Sequence, residues 1–193
     1  ETSPVTVEDA EPITINNLKK AVIETLNDSD VTIDATELEG FDGSSLTVDA
    51  NTNVTINSTI DTISGIVDGN VAINETDDIV IDNLVADNAT IAAENVAVDT
   101  IIADKSVTIA ANGDITNAAD DETVNINASN VDLTAGLNIG TEELALNLAS
   151  QKIAAEATMG DINLTNDSSK NVQVTDLSAA GDITFAETGK GTV

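Results

Sequence analysis

Four aspartates follow one another at nearly constant intervals along the chain, and together they could bind a cation. Asp68, Asp87, Asp104 and Asp121 are separated by 19, 17 and 17 residues. If the chain repeats with this period, the four carboxylates lie above one another at about 5 Å and repel unless a cation intervenes. Because Ca²⁺ prefers hard oxygen ligands, the spacing suggests a calcium site. The alternative interpretation is a solvated acidic edge that prevents lateral pairing of sheets.

The composition argues against most kinds of catalysis. The chain contains no His, Cys, Arg, Trp or Tyr, and its formal net charge of -29 comes from 35 acidic residues against six lysines. Without His or Cys there is no Ser–His or Cys–His nucleophile and no zinc site built on those ligands. The negative surface repels nucleic acid and acidic lipid. We therefore expect a protein that is not an enzyme, that binds no nucleic acid, that does not insert into a membrane, and whose one candidate cofactor is Ca²⁺.

A repeated triplet of the form apolar-x-apolar dominates the chain. Examples are Val54-Thr-Ile56, Val71-Ala-Ile73, Ala89-Thr-Ile91, Val107-Thr-Ile109 and Val124-Asn-Ile126, whose first residues are 17, 18, 18 and 17 positions apart. Alternation within each triplet is typical of a strand with one buried face, and the Asn, Asp, Gly, Ser and Thr between triplets favour turns. One such turn cannot bury its own apolar face, whereas a stack of turns can.

This pattern predicts an all-β fold, a right-handed parallel β-helix or β-solenoid with three short strands in each turn of about 17 to 20 residues. An antiparallel sandwich is the alternative, since it also has many short strands separated by turns. In the solenoid we expect two buried columns: Val71, Ala89, Val107 and Val124 beside Ile73, Ile91, Ile109 and Ile126. We also expect Asn53, Asn70 and Asn88, and likewise Asn57 and Asn74, to hydrogen-bond along the stack.

Residues 1–30 differ from residues 31–193, which carry the repeat. The stretch SPVTVEDAEPITI is typical of extended chain, whereas NNLKKAVIETLNDSD has apolar residues at helical spacing. Those residues are Leu18, Val22, Ile23 and Leu26. The spacing predicts a short helix-like cap over the first turn, where it would shield unpaired backbone groups.

The sequence shows no comparable cap after GDITFAETGKGTV. One interpretation is that the chain is a fragment of a longer solenoid. The other is that its last turn pairs with an incoming strand of a second copy, which repeated head to tail gives a filament. The candidate assembly residues are Val5, Val7, Ile13 and Ile15 on the donor segment and Ile183 and Phe185 on the last turn.

The outward residue of the first triplet is often threonine. Thr14, Thr32, Thr55, Thr90, Thr108 and Thr184 occupy this place, although Ala72 and Asn125 interrupt the rank. A flat threonine array on a solenoid suggests ice binding as a minor alternative. Strand propensity alone also favours threonine here.

The segments GNVAINETDDIVIDN, KSVTIAANGDITNAA, SNVDLTAGLNI and AAGDITFAETG resemble the degenerate repeats of filamentous-haemagglutinin-like exoproteins and related large bacterial surface adhesins. The resemblance covers residues 31–193. It implies a right-handed parallel β-helix outside the cell that acts as a stalk, filament or adhesive surface. The asparagine-proline motifs of that family's secretion domain are absent, so this chain is not expected to be that domain.

We therefore expect a secreted or cell-surface structural protein, either a subunit of a self-assembling filament or a segment of a filamentous adhesin. Its partners would be further copies of itself or a ligand on a cell surface or matrix. A calcium-dependent binding module is the alternative function.

Overall fold

The computed structural model describes residues 4–7, 13–14, 20–25, 30–35, 44–119 and 122–193. Throughout these residues the regular secondary structure is β-strand, and the strands stack in parallel as a β-solenoid of about eight turns. The predicted all-β parallel solenoid is thereby confirmed.

Seventeen strands lie in the described part of the chain. They are β1 (Pro4–Val7), β2 (Ile13–Thr14), β3 (Lys20–Thr25), β4 (Val31–Ala35), β5 (Ser45–Ala50), β6 (Val54–Ser58), β7 (Thr62–Val67), β8 (Asn70–Glu75), β9 (Ile79–Ala93), β10 (Val96–Ala111), β11 (Ile115–Asn117), β12 (Ile126–Ala135), β13 (Leu146–Ala149), β14 (Lys152–Ala157), β15 (Ile162–Asn166), β16 (Gln173–Ala179) and β17 (Ile183–Glu187).

Two parallel ladders of backbone hydrogen bonds run from the first strands to the last. One ladder joins β2, β4, β6, β8, β9, β10, β12, β14 and β16. The other joins β1, β3, β5, β7, β9, β10, β12, β13, β15 and β17. The long strands β9, β10 and β12 belong to both ladders, because each continues from one face of the solenoid to the next.

Columns of aliphatic side chains fill the interior. Within each column the residues come from successive turns and are almost completely buried. The first contains Val31, Val54, Val71, Ala89, Val107, Val131 and Ile153, the second Leu84, Ile101, Ile126 and Leu148, and the third Ile79, Val96, Ile115, Ile139 and Ile162. Another contains Ile33, Ile56, Ile73, Ile91, Ile109 and Leu133. Because each turn covers the apolar face of the one before, the core is continuous along the stack.

The predicted first column is confirmed as far as Val107 and is wrong beyond it. Val107 pairs with Val131, 24 residues later, and not with Val124. The other predicted column is confirmed for Ile73, Ile91 and Ile109, but Ile109 then pairs with Leu133, and Ile126 pairs instead with Ile101. The turn is longer here because extra residues separate β11 from β12. The triplets look alike in every column, so the sequence did not reveal the change.

The predicted helix is wrong for the described residues 20–25. Lys20–Thr25 forms β3, which pairs in parallel with β1 on one side and with β5 on the other. Val22 and Ile23 are therefore strand residues, and Leu18 and Leu26 lie outside the described residues. A strand in this position gains ladder hydrogen bonds on both edges, and an isolated short helix would have no such partners.

Candidate functional surfaces

The acidic corner predicted to bind calcium has an internal cation close to it. Lys105 Nζ lies 2.6 Å from Asp87 Oδ2, and both side chains are partly exposed. The hydrogen bond to Asp87, its negative charge and that of Asp104 raise the pKa of Lys105 above its usual value. Lys105 thus offsets part of the repulsion between the aspartates, a role that the sequence pattern had suggested for a metal ion.

The structure brings three of the four predicted aspartates to neighbouring turns. The Asp68 N–H donates to Ala50 O and the Asp87 N–H to Gly69 O, which places Asp87 one turn beyond Asp68. Asp104 directly follows Ala103, in the turn after Asp87. Asp121 lies outside the described residues. Among the residues that the structure describes, no group of three or more acidic side chains is placed to hold a metal ion.

The last turn leaves apolar side chains uncovered. Ile183 is 44% exposed, and Phe185 is partly buried against the core. β17 pairs with β15, and β16 with β14, while no described strand pairs with their outer edges. Equivalent inward residues in earlier turns, such as Ile162 and Leu164, are 1% and 0% exposed. The difference arises because earlier turns are covered on both sides.

The predicted donor segment pairs within its own chain. Val5 and Val7 lie in β1, in register with Ile23 and Thr25 of β3, and Ile13 in β2 is in register with Ile33. Ile15 lies outside the described residues. β1 and β2 thus form the first described rungs of the two ladders.

The predicted asparagine ladder is confirmed. Asn70 Nδ2 donates to Asn53 Oδ1 at 2.8 Å, and Asn88 Nδ2 donates to Asn70 Oδ1 at 2.6 Å. The ladder continues at both ends, from Asn53 to Asp30 and from Ser106 to Asn88. A parallel pair, Asn74 Nδ2 to Asn57 Oδ1, is 3.0 Å long.

A second polar ladder of alternating asparagine and aspartate runs along another corner and was not predicted. Asn95 Nδ2 donates to Asp78 Oδ1, and the Asp114 N–H donates to Asn95 Oδ1 at 2.7 Å. Asn138 then donates to Asp114 through both its backbone N–H and its Nδ2, and the Asp161 N–H donates to Asn138 Oδ1. These bonds satisfy corner N–H groups that the strand ladders leave open. The sequence signal was weak, because the steps between these residues vary.

Three asparagines inside the solenoid form a buried cluster. Asn125, fully buried, donates through Nδ2 to Val98 O at 3.0 Å and to Asn117 Oδ1 at 2.8 Å. Its Oδ1 accepts the Asn147 N–H at 2.9 Å. Asn117 Nδ2 donates to Ala145 O. The cluster fixes the backbone where the turns become longer and the regular ladder is interrupted.

A buried carboxyl group occupies the corner after β8. Glu75 is 7% exposed; its Oε2 accepts from Ser58 Oγ and from the Ile60 N–H, and its Oε1 accepts from the Thr76 N–H. Burial, together with a smaller contribution from a hydrogen bond with Asp77, raises the pKa of Glu75 to about 7 against the lowering effect of these hydrogen bonds. The alternation of inward and outward residues along β8 could have revealed this site, because Glu75 takes the next inward position after Val71 and Ile73.

A groove of about 570 Å³ opens beside the lengthened turns. Its lining includes the carboxylates of Glu122, Glu143 and Asp167 together with Val124 and Leu144. The groove therefore carries three negative charges among apolar and uncharged polar side chains, and it would attract a cationic ligand more readily than an anionic one.

No family model matches the chain, and neither does any curated protein or solved structure. Among the described residues, no helix is long and apolar enough to cross a membrane.

Proposed function

We propose that this chain is an extracellular structural protein whose solenoid assembles end to end into a surface filament or forms a segment of a filamentous adhesin. The resemblance of its repeats to those of filamentous-haemagglutinin-like exoproteins supports this proposal. Its role would be mechanical: a stiff rod that spans distance or displays a surface.

The uncovered last turn is the observation that carries the proposal. Ile183 and Phe185 continue the interior of the solenoid but lack the covering turn that buries Ile162 and Leu164. Burying aliphatic surface stabilises by roughly 25 cal/mol per Å², so a further turn placed here would gain both apolar contacts and ladder hydrogen bonds.

The geometry of the two ladders allows a second copy to supply that turn. β2 and β16 are the first and last described strands of one ladder, and β1 and β17 are those of the other. A copy shifted along the solenoid axis therefore presents parallel edges to the exposed edges of β16 and β17. Because the contact is head to tail, it does not close and gives an open filament.

The charge of the chain favours end-to-end contact over side-to-side contact. With a formal net charge of -29, two copies repel each other along their acidic sides. End-to-end contact brings fewer negative charges close together than side-to-side contact, although Asp182 and Glu187 lie near the last turn. Salt at 0.15 M screens charges beyond about 8 Å, so assembly should increase with ionic strength.

Sedimentation of the chain over a range of concentrations tests this proposal. The average mass should rise with concentration in moderate salt, and Ile183→Asp should keep the chain monomeric. Met159→Asp is the matched control, because Met159 is also apolar and is 68% exposed, but it lies at a lateral corner. Circular dichroism should show the same strand content in all three proteins.

An average mass that stays at the monomer value at every concentration and salt would contradict filament assembly by this chain. Loss of assembly in both variants would show that the contact is lateral and would contradict the end-to-end geometry.

A further inference from the structure

One face of the solenoid carries no charge over four consecutive turns. The outward residues there are only Asn, Thr, Ser and Ala, and we call them the neutral face: Asn53, Thr55 and Asn57 from β6 and its start, Asn70, Ala72 and Asn74 from β8, Asn88, Thr90 and Ala92 from β9, and Ser106, Thr108 and Ala110 from β10. Charge returns on the turns that flank it, with Asp34 beside Asn57 and Asp132 beside Thr108. In a chain with 35 acidic residues, this neutral stretch stands apart from the rest of the surface.

Hydrogen bonds hold the edge of the neutral face in one conformation. Asn70 donates to Asn53, Asn88 donates to Asn70, and Ser106 donates to Asn88, at 2.6 to 2.8 Å. These side chains therefore lose little further freedom when they meet a partner, which lowers the entropic cost of binding.

The neutral face is also regular in two directions. From Val54 to Ala110 the strands pair in register across it, and the one shift between β9 and β10 comes before Ser106. Neighbouring turns are about 4.8 Å apart, and outward residues on one strand are about 6.6 Å apart. Small ligands are held in single concave sites, whereas a face that repeats in two directions suits a partner that is itself repeating.

The residue types distinguish between the repeating, neutral partners that such a face could bind. Sugar lattices are gripped by aromatic rings, and the neutral face has none. Threonine combines a hydroxyl and a methyl group, and asparagine adds a donor and an acceptor, so ranks of both can order a layer of water above the face. We propose that the neutral face binds ice through this ordered layer, a function separate from end-to-end assembly.

Partition of the full chain into slowly growing ice tests this proposal, with a non-binding protein of similar charge as the reference. The chain should be enriched in the ice relative to that reference. Thr90→Lys places a charge at the centre of the neutral face and should abolish the enrichment. Thr116→Lys is the matched control, because Thr116 is a partly exposed strand residue on another face, in register with Ala97.

Ala72→Thr supplies a gain-of-function test, because Ala72 is the gap between Thr55 and Thr90 in the threonine rank. This variant should partition into ice more strongly than the unaltered chain. Exclusion of the unaltered chain from ice would overturn the proposal, as would equal loss of enrichment in the two lysine variants. Binding to crystalline cellulose or chitin without enrichment in ice would also overturn it.

Discussion

The hydroxyl group of Ser58 donates a hydrogen bond to the buried carboxyl group of Glu75, 17 residues further along the chain and one turn further along the stack. Neighbouring inward positions at this corner, such as Ala93 and Ala111, hold alanine. An acid thus occupies a column of small residues. Its burial raises the pKa of Glu75 to about 7, from an ordinary value of 4.5.

This shift predicts a pH dependence of stability. Between about pH 4.5 and pH 7 the folded chain holds a proton on Glu75 that the unfolded chain has released, so the free energy of unfolding falls as pH rises through this window. The effect is at most on the order of 3 kcal/mol. Glu75→Gln removes the titrating group, and the melting temperature of this variant relative to the unaltered chain should therefore rise from about pH 5 to about pH 8.

Thermal melts at several pH values measure this difference. Glu156→Gln is the control, since Glu156 is exposed on β14, and its difference from the unaltered chain should not change across the window. A constant difference for Glu75→Gln would contradict the assigned role of this carboxyl group.

The asparagine ladder predicts a moderate loss of stability when one rung is removed. Asn70→Ala eliminates the side-chain bonds to Asn53 and from Asn88. At about 0.5 to 1.5 kcal/mol for each of the two bonds, the free energy of unfolding should fall by about 1 to 3 kcal/mol. Urea denaturation can measure this, with Asn83→Ala as the control because Asn83 is exposed and outside the ladder. Equal losses in both variants would mean that the ladder adds nothing specific.

The buried cluster predicts a larger loss. Asn125→Ala removes the side-chain bonds to Val98 O and to Asn117 Oδ1 and the bond from the Asn147 N–H. At about 0.5 to 1.5 kcal/mol for each bond, the free energy of unfolding should fall by about 2 kcal/mol or more. Asn127→Ala, an exposed position in β12, should have little effect. A stability near that of the unaltered chain would show that the cluster is replaceable.

Calcium binding at the acidic corner stays a prediction, and Lys105 suggests how to test it. Lys105→Gln removes the cation beside Asp87, so Ca²⁺ should raise the melting temperature of this variant more than that of the unaltered chain. Asp87→Asn combined with Lys105→Gln should remove the additional effect. Equal calcium effects in all three proteins would indicate screening of the whole surface and no defined site.

The sequence was most informative where the repeat is regular. The step of 17 or 18 residues was enough to predict the pairing of Val54, Val71, Ala89 and Val107 and the ladder of Asn53, Asn70 and Asn88. These predictions succeeded because a constant step places equal residues in equal environments.

The remaining features could not be predicted because similar residues serve different purposes. Val124 and Val131 both begin a triplet, and only the length of the intervening turn decides which one follows Val107. Helical spacing in residues 20–25 was outweighed by ladder pairing on both edges. Asn125 is one of many asparagines, and its burial depends on contacts between three different turns.

Electron microscopy of the purified chain in moderate salt, beside a version lacking residues 1–15, tests the central claim most directly. That deletion removes β1 and β2, whose edges are proposed to meet β17 and β16 of the next copy. With about eight turns at about 4.8 Å, one copy is a rod of about 40 Å. We expect filaments many times that length from the full chain and separate short rods from the shortened one. Short rods from both would contradict end-to-end assembly.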